Sequence, residues 1–257
     1  MVLQYKNIAV SYDDAGSGDT IVLLHGFLEN KNMWAFFIDK FQKQFRIVSI
    51  DLLGHGKTPA LGYVHSMEEN ADMVATVLEA LKIKQYSIIG HSMGGYVALE
   101  LAKKQPLLLQ KLVLLNSTSQ ADSLEKKGNR DRAILAVKKD YETFIRLSVA
   151  NLFSEDNRDR LGTEIENTKL EALKTPLQGI IASLEGMKIR TDNGKFFKNL
   201  DLPKLLILGR KDSVLPFEET AKQVENSDIQ LEALSFGHMS HLENQKELLL
   251  ILKKFFN

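Results

Sequence analysis

The hexamer Gly90-His91-Ser92-Met93-Gly94-Gly95 is the stretch whose residue types and spacing most directly specify chemistry. It follows the apolar run Tyr86-Ser87-Ile88-Ile89 and opens a segment of helical periodicity, which is the setting of a G-x-S-x-G nucleophile turn. So tight a turn strains the serine backbone, and side chains two residues to either side would collide. Gly90 and Gly94 remove those side chains, and Gly95 lets the helix approach the sheet. The Ser92 hydroxyl then stands clear at the carboxyl end of a strand, where open α/β sheets bind their ligands. Taken alone, the same five-residue pattern also describes a glycine-rich turn without chemistry.

A serine hydroxyl needs a base to become a nucleophile, and histidine is the common one. The chain has six: His25, His55, His65, His91, His238 and His241. The turn resembles that of the α/β hydrolases, and this resemblance implies the chain order serine, acid, histidine, which leaves His238 and His241. His238 follows Gly237 in the loop leaving the last strand, free to reach Ser92. His241 follows Ser240, which with Glu243 has the spacing of a capping box, so it is expected to start the final helix. The pair could also hold a metal, but no cysteine and no third clustered ligand accompany it, and no metal is assigned. Asp212 closes the penultimate strand run and is the expected acid, accepting the second ring N–H of His238. It could equally cap the helix near Pro216, and Asp122 is the rival acid position.

Two N–H groups must also meet the negative charge that develops on the substrate oxygen. Met93, after the nucleophile, supplies one. Phe27, in the loop His25-Gly26-Phe27-Leu28 after the run Ile21–Leu24, supplies the other.

Together these residues resemble the α/β-hydrolase superfamily, in its serine-nucleophile, cap-containing, esterase- and lipase-like branch. His25-Gly26, Asp51-Leu52-Leu53-Gly54-His55-Gly56, the serine turn, Gly209…Asp212 and Gly237-His238 stand in the family's order over nearly the whole chain. The resemblance implies that the Asp51 segment shapes a turn and is not catalytic. It also implies a helical cap inserted after the strand ending near Leu115. Serine at the turn separates the sequence from the haloalkane dehalogenases and most epoxide hydrolases of this fold, which use aspartate there.

The elements that must position these residues are legible as an alternation of strands and helices. The runs Ile21–Leu24, Ile47–Ile50, Tyr86–Ile89, Leu112–Leu115 and Leu205–Leu208 are continuously apolar, as strands buried on both faces are. Ile229–Leu234 alternates and belongs near an edge. The first twelve residues read as strand, with Asp13–Gly18 as a turn. Ala71, Val74, Leu78 and Leu81 form one helical stripe behind a Ser66/Glu69 capping box, and a second helix runs from about Gly95 to Lys104. Between Thr118 and Leu202 the strand rhythm stops, and helical segments are expected around 132–139, 141–153, 162–174 and 176–188. The expected fold is therefore α/β, a mostly parallel doubly covered sheet, with a core over residues 1–120 and 200–257 and a helical cap over 121–199.

Composition limits the partners. Among 257 residues, 33 Lys and Arg balance 33 Asp and Glu, so the basic excess that drives nucleic-acid binding is missing. The absence of cysteine excludes a disulfide framework and fits a cytoplasmic protein. No stretch reaches the roughly 18 apolar residues of a membrane span; the run Leu248–Leu252 suits a buried C-terminal helix. The residues do not specify an oligomeric state, and no cofactor is called for.

The expected reaction is acyl transfer on a small to medium carboxylic ester, the small-molecule partner, with an apolar pocket roofed by the cap. Leu28, His91, Phe153, Met187 and Leu215 are candidate wall residues, with Phe27, Met93 and Leu152 beside them. Monoacylglycerol lipases, cofactor-free perhydrolases, carbon–carbon bond hydrolases and the menaquinone-pathway lyase of this fold share similar machinery, and fold does not separate them. A cationic pocket would favour the lyase, an apolar one the esterase. A small-molecule receptor built on the hydrolase scaffold is the alternative from another class.

Overall fold

The computed structural model describes all 257 residues. Its eight strands are β1 (Val2–Tyr5), β2 (Ile8–Gly16), β3 (Thr20–Leu24), β4 (Arg46–Ile50), β5 (Tyr86–His91), β6 (Leu109–Leu115), β7 (Lys204–Gly209) and β8 (Gln230–Leu234). They form one sheet in the order β1-β2-β4-β3-β5-β6-β7-β8, parallel from β4 to β8 with β1 and β2 antiparallel at one edge. The central strands are apolar at successive positions because each face has its own core. Val22 and Leu24 pack with Ile88, Leu112, Leu114, Leu206 and Leu208 on one side. Ile21 and Leu23 pack with Ile89, Val113, Leu205 and Ile207 on the other. Each such buried side chain contributes about 1.5–3 kcal/mol relative to exposure. The alternating run lies at the edge as β8, where Gln230 and Leu231 are exposed.

Two helices serve the second core: α1 (Ala35–Phe41) with Phe37 and Phe41, and the C-terminal α11 (Gln245–Phe256) with Leu248, Leu252 and Phe256. The greasy run Leu248–Leu252 thus winds around an amphipathic helix rather than being wholly buried: Leu248 and Leu252 face the core and Leu250 is exposed. The first core is covered by α2 (Met67–Ala80) and α3 (Met93–Lys104). Ser66 caps α2 by accepting from the Glu69 N–H, but the Glu69 carboxylate pairs with Lys6 instead of closing the box.

Between β6 and β7 lie α4 (Leu124–Lys139), α5 (Tyr141–Leu152), α6 (Gly162–Ala172), α7 (Leu177–Ile189) and α8 (Gly194–Asn199). Helix α4 begins eight residues before the charge-rich segment expected at 132–139, because Ser123 caps it through the Lys126 N–H. The His65 N–H donates to the Ala182 carbonyl at 2.9 Å and ties α7 to the loop after β4. The expected turn at Asp13–Gly18 is shorter: β2 continues to Gly16 against β4, where Arg46 makes a bidentate pair with Asp14 at 2.7 and 2.9 Å. Short helices α9 (Phe217–Ala221) and α10 (Ser240–Glu243) flank β8. No helix is long and apolar enough to cross a membrane.

Candidate active site

The sheet order reverses at β3 and β5: the chain leaves β3 towards β4 on one side and β5 towards β6 on the other. The loops diverge there and leave a crevice beyond the strands' carboxyl ends, the usual ligand position in such sheets. Ser92 follows β5 into this crevice with φ 49° and ψ −115°, a strained conformation for a residue with a side chain. The turn closes because a Cβ on Gly90 would lie 2.4 Å from the Gly94 carbonyl oxygen, and one on Gly94 2.5 Å from that of Leu24.

The loop after β8 brings His238 to the same cavity of about 100 Å³ that Ser92 lines. His238 Nδ1 donates to Asp212 Oδ2 at 2.7 Å, in a pair that is almost fully buried. Asp212 is held in turn by the Asn116 amide at 3.1 Å and by the Val214 and Leu215 N–H groups at 2.8 and 2.9 Å. Burial pushes its carboxyl up, but the neighbouring His238 and these donors outweigh that and hold it below the usual range. Asp212 therefore orients the imidazole and shapes the next turn at once. Asp122 is elsewhere: it pairs with Arg130 and Arg190.

The two expected oxyanion amides have one design. In a trans peptide the C=O and N–H point in opposite directions, so anchoring one aims the other. The Gly26 carbonyl accepts from His25 Nδ1 at 2.7 Å and from the Glu29 N–H at 3.3 Å, which turns the Phe27 N–H away from them. The Ser92 carbonyl accepts from Ser117 Oγ at 2.7 Å and from the Gly95 N–H at 3.0 Å, which does the same for Met93. Met93 begins α3, so its N–H is one of the helix's orphan donors.

Phe27, Leu28, His91, Leu152 and Met187 line the Ser92 cavity, and Leu215 lines a larger chamber of about 410 Å³ that shares Phe27, Tyr96 and Arg130 with it. Two expected wall residues do not. Phe153 and the Met93 side chain are packed in the core. Phe153 sits where α5 ends in extended backbone, so its ring points away from the direction Leu152 takes. His241 lies in α10 as expected of a helix start, but Ser240 is no cap: its hydroxyl bonds the Gly237 carbonyl, and Met239 occupies the cap position. The Glu243 carboxylate instead accepts from the N–H groups of Ser154 and Met239 and from the Asn157 amide. It thereby joins the loop after α5 to the His238 loop.

Of the supporting residues, Glu29, Asn116 and Ser117 are not singled out by the sequence, and Glu243 only as the capping-box partner of Ser240. Among the first three, only Gly26…Glu29 leaves a trace there, a carboxylate three residues after a glycine whose amide it can reach. Glu29, His91 and His241 bring ligand-type atoms within 4.8 Å of one another. Both nitrogens of His91 and one oxygen of Glu29 are taken up in hydrogen bonds, so the group is not assigned to a metal.

Known proteins supply the class. Residues 19–245 match the α/β hydrolase fold family model, and the chain belongs to that family. Its structure superposes on that of a thermophilic esterase from Thermogutta terrifontis (malate bound) with a TM-score of 0.91 at 28% identity, covering 97% of this chain and 93% of that one. In sequence it is 27% identical to the Bacillus subtilis (strain 168) protein named "Putative 2-succinyl-6-hydroxy-2,4-cyclohexadiene-1-carboxylate synthase", over 96% of this chain and 93% of the relative. It is also 27% identical to the Agrobacterium fabrum protein named "Putative carbamate hydrolase RutD", over 85% of each chain.

Proposed function

We propose that the protein is a serine hydrolase that cleaves small to medium carboxylic esters through an acyl-enzyme. The observation that carries this is the buried Asp212–His238 pair opening onto the cavity of the strained Ser92. His238 Nε2 takes the Ser92 hydroxyl proton as Oγ attacks the ester carbonyl. The Phe27 and Met93 amides hold the oxyanion, and His238 returns the proton to the departing alcohol. Water, activated by the same imidazole, then releases the acid. Residues 121–199 act as the cap over the pocket, and their α5 and α7 side chains Leu152 and Met187 give the cavity its apolar wall. The esterase neighbour supports this assignment.

One observation favours a second reading. Arg130 reaches the Ser92 cavity, and Arg130, Arg190 and Lys126 line the larger chamber against a single paired acid, Asp122. That balance suits a substrate bearing a carboxylate. The same triad would then act as a proton-abstracting base in a lyase, and the Bacillus subtilis relative is named for a carboxylate-bearing compound.

A panel of p-nitrophenyl esters of increasing acyl length, neutral and carboxylate-bearing, tests both on wild type, Ser92→Ala and Arg130→Gln. Turnover lost in Ser92→Ala supports the esterase, and turnover that persists there ends the nucleophile assignment. No turnover by wild type favours the lyase or a receptor. A preference for carboxylate-bearing esters that disappears in Arg130→Gln assigns the cation's role.

A further inference from the structure

Four of the buried histidines divide by what their ring nitrogens face. His25, His55 and His65 each accept a backbone N–H at Nε2, from Leu52, Leu28 and Leu61 respectively. A nitrogen that accepts carries no proton, so these three rings are neutral. His91 differs. Its Nδ1 lies 2.7 Å from the Glu29 carboxylate and its Nε2 3.0 Å from the His238 carbonyl, and both of those partners only accept. The carbonyl requires a proton on Nε2, and Glu29, kept ionised well below its usual range, requires a second on Nδ1, so the ring is an imidazolium.

Its counter-ion does a second job. Glu29 Oε2, which accepts from His91, also accepts from the Gly26 N–H at 2.7 Å. One carboxylate oxygen thus holds the loop that carries the Phe27 amide, while the ring it charges holds the loop that carries His238. His91 itself directly precedes Ser92. The approach needs a residue without a side chain at 26, since a Cβ there would lie 2.5 Å from Glu29 Oε2 and 2.8 Å from His91 Nδ1.

We propose that Glu29 and His91 form a buried ion pair that clamps the oxyanion loop, the serine turn and the His238 loop in one register, with Glu29 a positioning residue. The proposal rests on the acyl-transfer reading only for its kinetic consequences. Other charged or titratable groups around His91 are few. His25 lies on the loop after β3, His238 has its ring 5.2 Å away, and His241 on α10 lies 5.4 Å away; Asp212 acts from beyond His238. His241 stays neutral, since burial lowers it to about 4, and His25 is likewise lowered by burial. Burial opposes charge on both members of the pair, but their mutual attraction outweighs it, raising His91 and lowering Glu29 to about 2.

The clamp predicts that His91 in the full-length protein shows two slowly exchanging ring N–H protons near pH 7 and imidazolium nitrogen shifts, by histidine-selective ¹⁵N NMR. A single ring proton would overturn it, as would loss of both signals on adding zinc, which would make the trio a metal site. Glu29→Gln offers one acceptor oxygen and no charge. It should lower kcat by roughly 10- to 100-fold with KM little changed, as misplacement of reacting groups by about 1 Å does. Its activity should also fall at lower pH on the alkaline side, because the ring gives up its second proton more readily. An unchanged kcat and pH profile in Glu29→Gln would refute the proposal. If wild type turns over no ester, the acyl-transfer reading fails while the NMR result still decides the clamp, as it does if the variant fails to fold.

Discussion

Replacing Asp212 by asparagine keeps the shape of the site and reverses one polarity. Oδ1 accepts from the Val214 and Leu215 N–H groups, and Oδ2 from His238 Nδ1 and the Asn116 amide. An amide has a single acceptor oxygen. The two backbone donors cannot turn away, so that oxygen stays with them and the new NH₂ group faces His238. The imidazole answers by moving its proton to Nε2 so that Nδ1 can accept, and the nitrogen facing the cavity then carries a proton where it needs a lone pair. The same polarity change in a chymotrypsin-type triad costs about 10⁴ in kcat, or roughly 5.4 kcal/mol at 1.36 kcal/mol per tenfold. Asp212→Asn should therefore lower kcat for p-nitrophenyl acetate about 10⁴-fold with KM changed by less than about threefold, the remaining rate being supplied by the oxyanion amides. Stopped assays between pH 6 and 10, alongside circular dichroism to establish that the variant is folded, measure this. A folded variant within tenfold of wild type would refute the account of His238 as a base oriented by Asp212.

Ser117→Ala frees the Ser92 carbonyl from one of its two anchors and should reduce kcat about fivefold, the worth of one ordinary hydrogen bond, with KM unchanged in steady-state assays. Glu243→Ala strands three buried donors on two loops and should destabilise the fold by about 3–5 kcal/mol, read as a lower urea midpoint, whereas Glu243→Gln should lose less because one oxygen remains to accept. Burial lowers His55 to about 3 and His65 and His241 to about 4, from an ordinary 6.5. Between those values the unfolded chain binds protons that the native state does not, so stability should fall as pH drops from about 6.5 towards 4. A urea midpoint flat across that window would contradict the neutral state of these rings.

The strands were legible in the sequence because burial on both faces removes alternation, so Tyr86–Ile89 and Leu205–Leu208 announce themselves as apolar runs. The extension of β2 through Asp13–Gly16 was hidden because Asp-Asp-Ala-Gly has turn chemistry. Its pairing with β4 supplies a partner for Asp14 in Arg46, a residue 32 positions away that local reasoning does not see. Helix α8 was missed because six residues hold too few turns to show a period. At the site, Ser92, Asp212 and His238 could be singled out because the serine turn resembles that of the α/β hydrolases, whose fold fixes the order serine, acid, histidine along the chain. Asn116 and Ser117 act on groups that the fold brings close from far along the chain and leave no spacing to detect, while the short spacings of Glu29 and Glu243 show a local backbone contact but not the loops they join.

The histidines show why residue type is a poor guide to role where hydrogen-bond pattern is a good one. His25 and His55 receive a backbone N–H on one nitrogen and meet a carbonyl with the other, so each is a neutral bridge between loop segments. His238 donates to a carboxylate through Nδ1 and keeps Nε2 for the cavity, which is the arrangement a base requires. His91, between the ionised Glu29 and a carbonyl, offers no lone pair and is held as the cation proposed above. Its side chain borders the same cavity as that of Ser92, yet its chemistry is spent on holding loops. A variant that replaced His91 by a neutral acceptor would leave the His238 carbonyl and the Glu29 carboxylate facing one another's environment without a donor between them. Two buried acceptors without a proton to share repel, so the loops they belong to would separate before the sheet itself was disturbed.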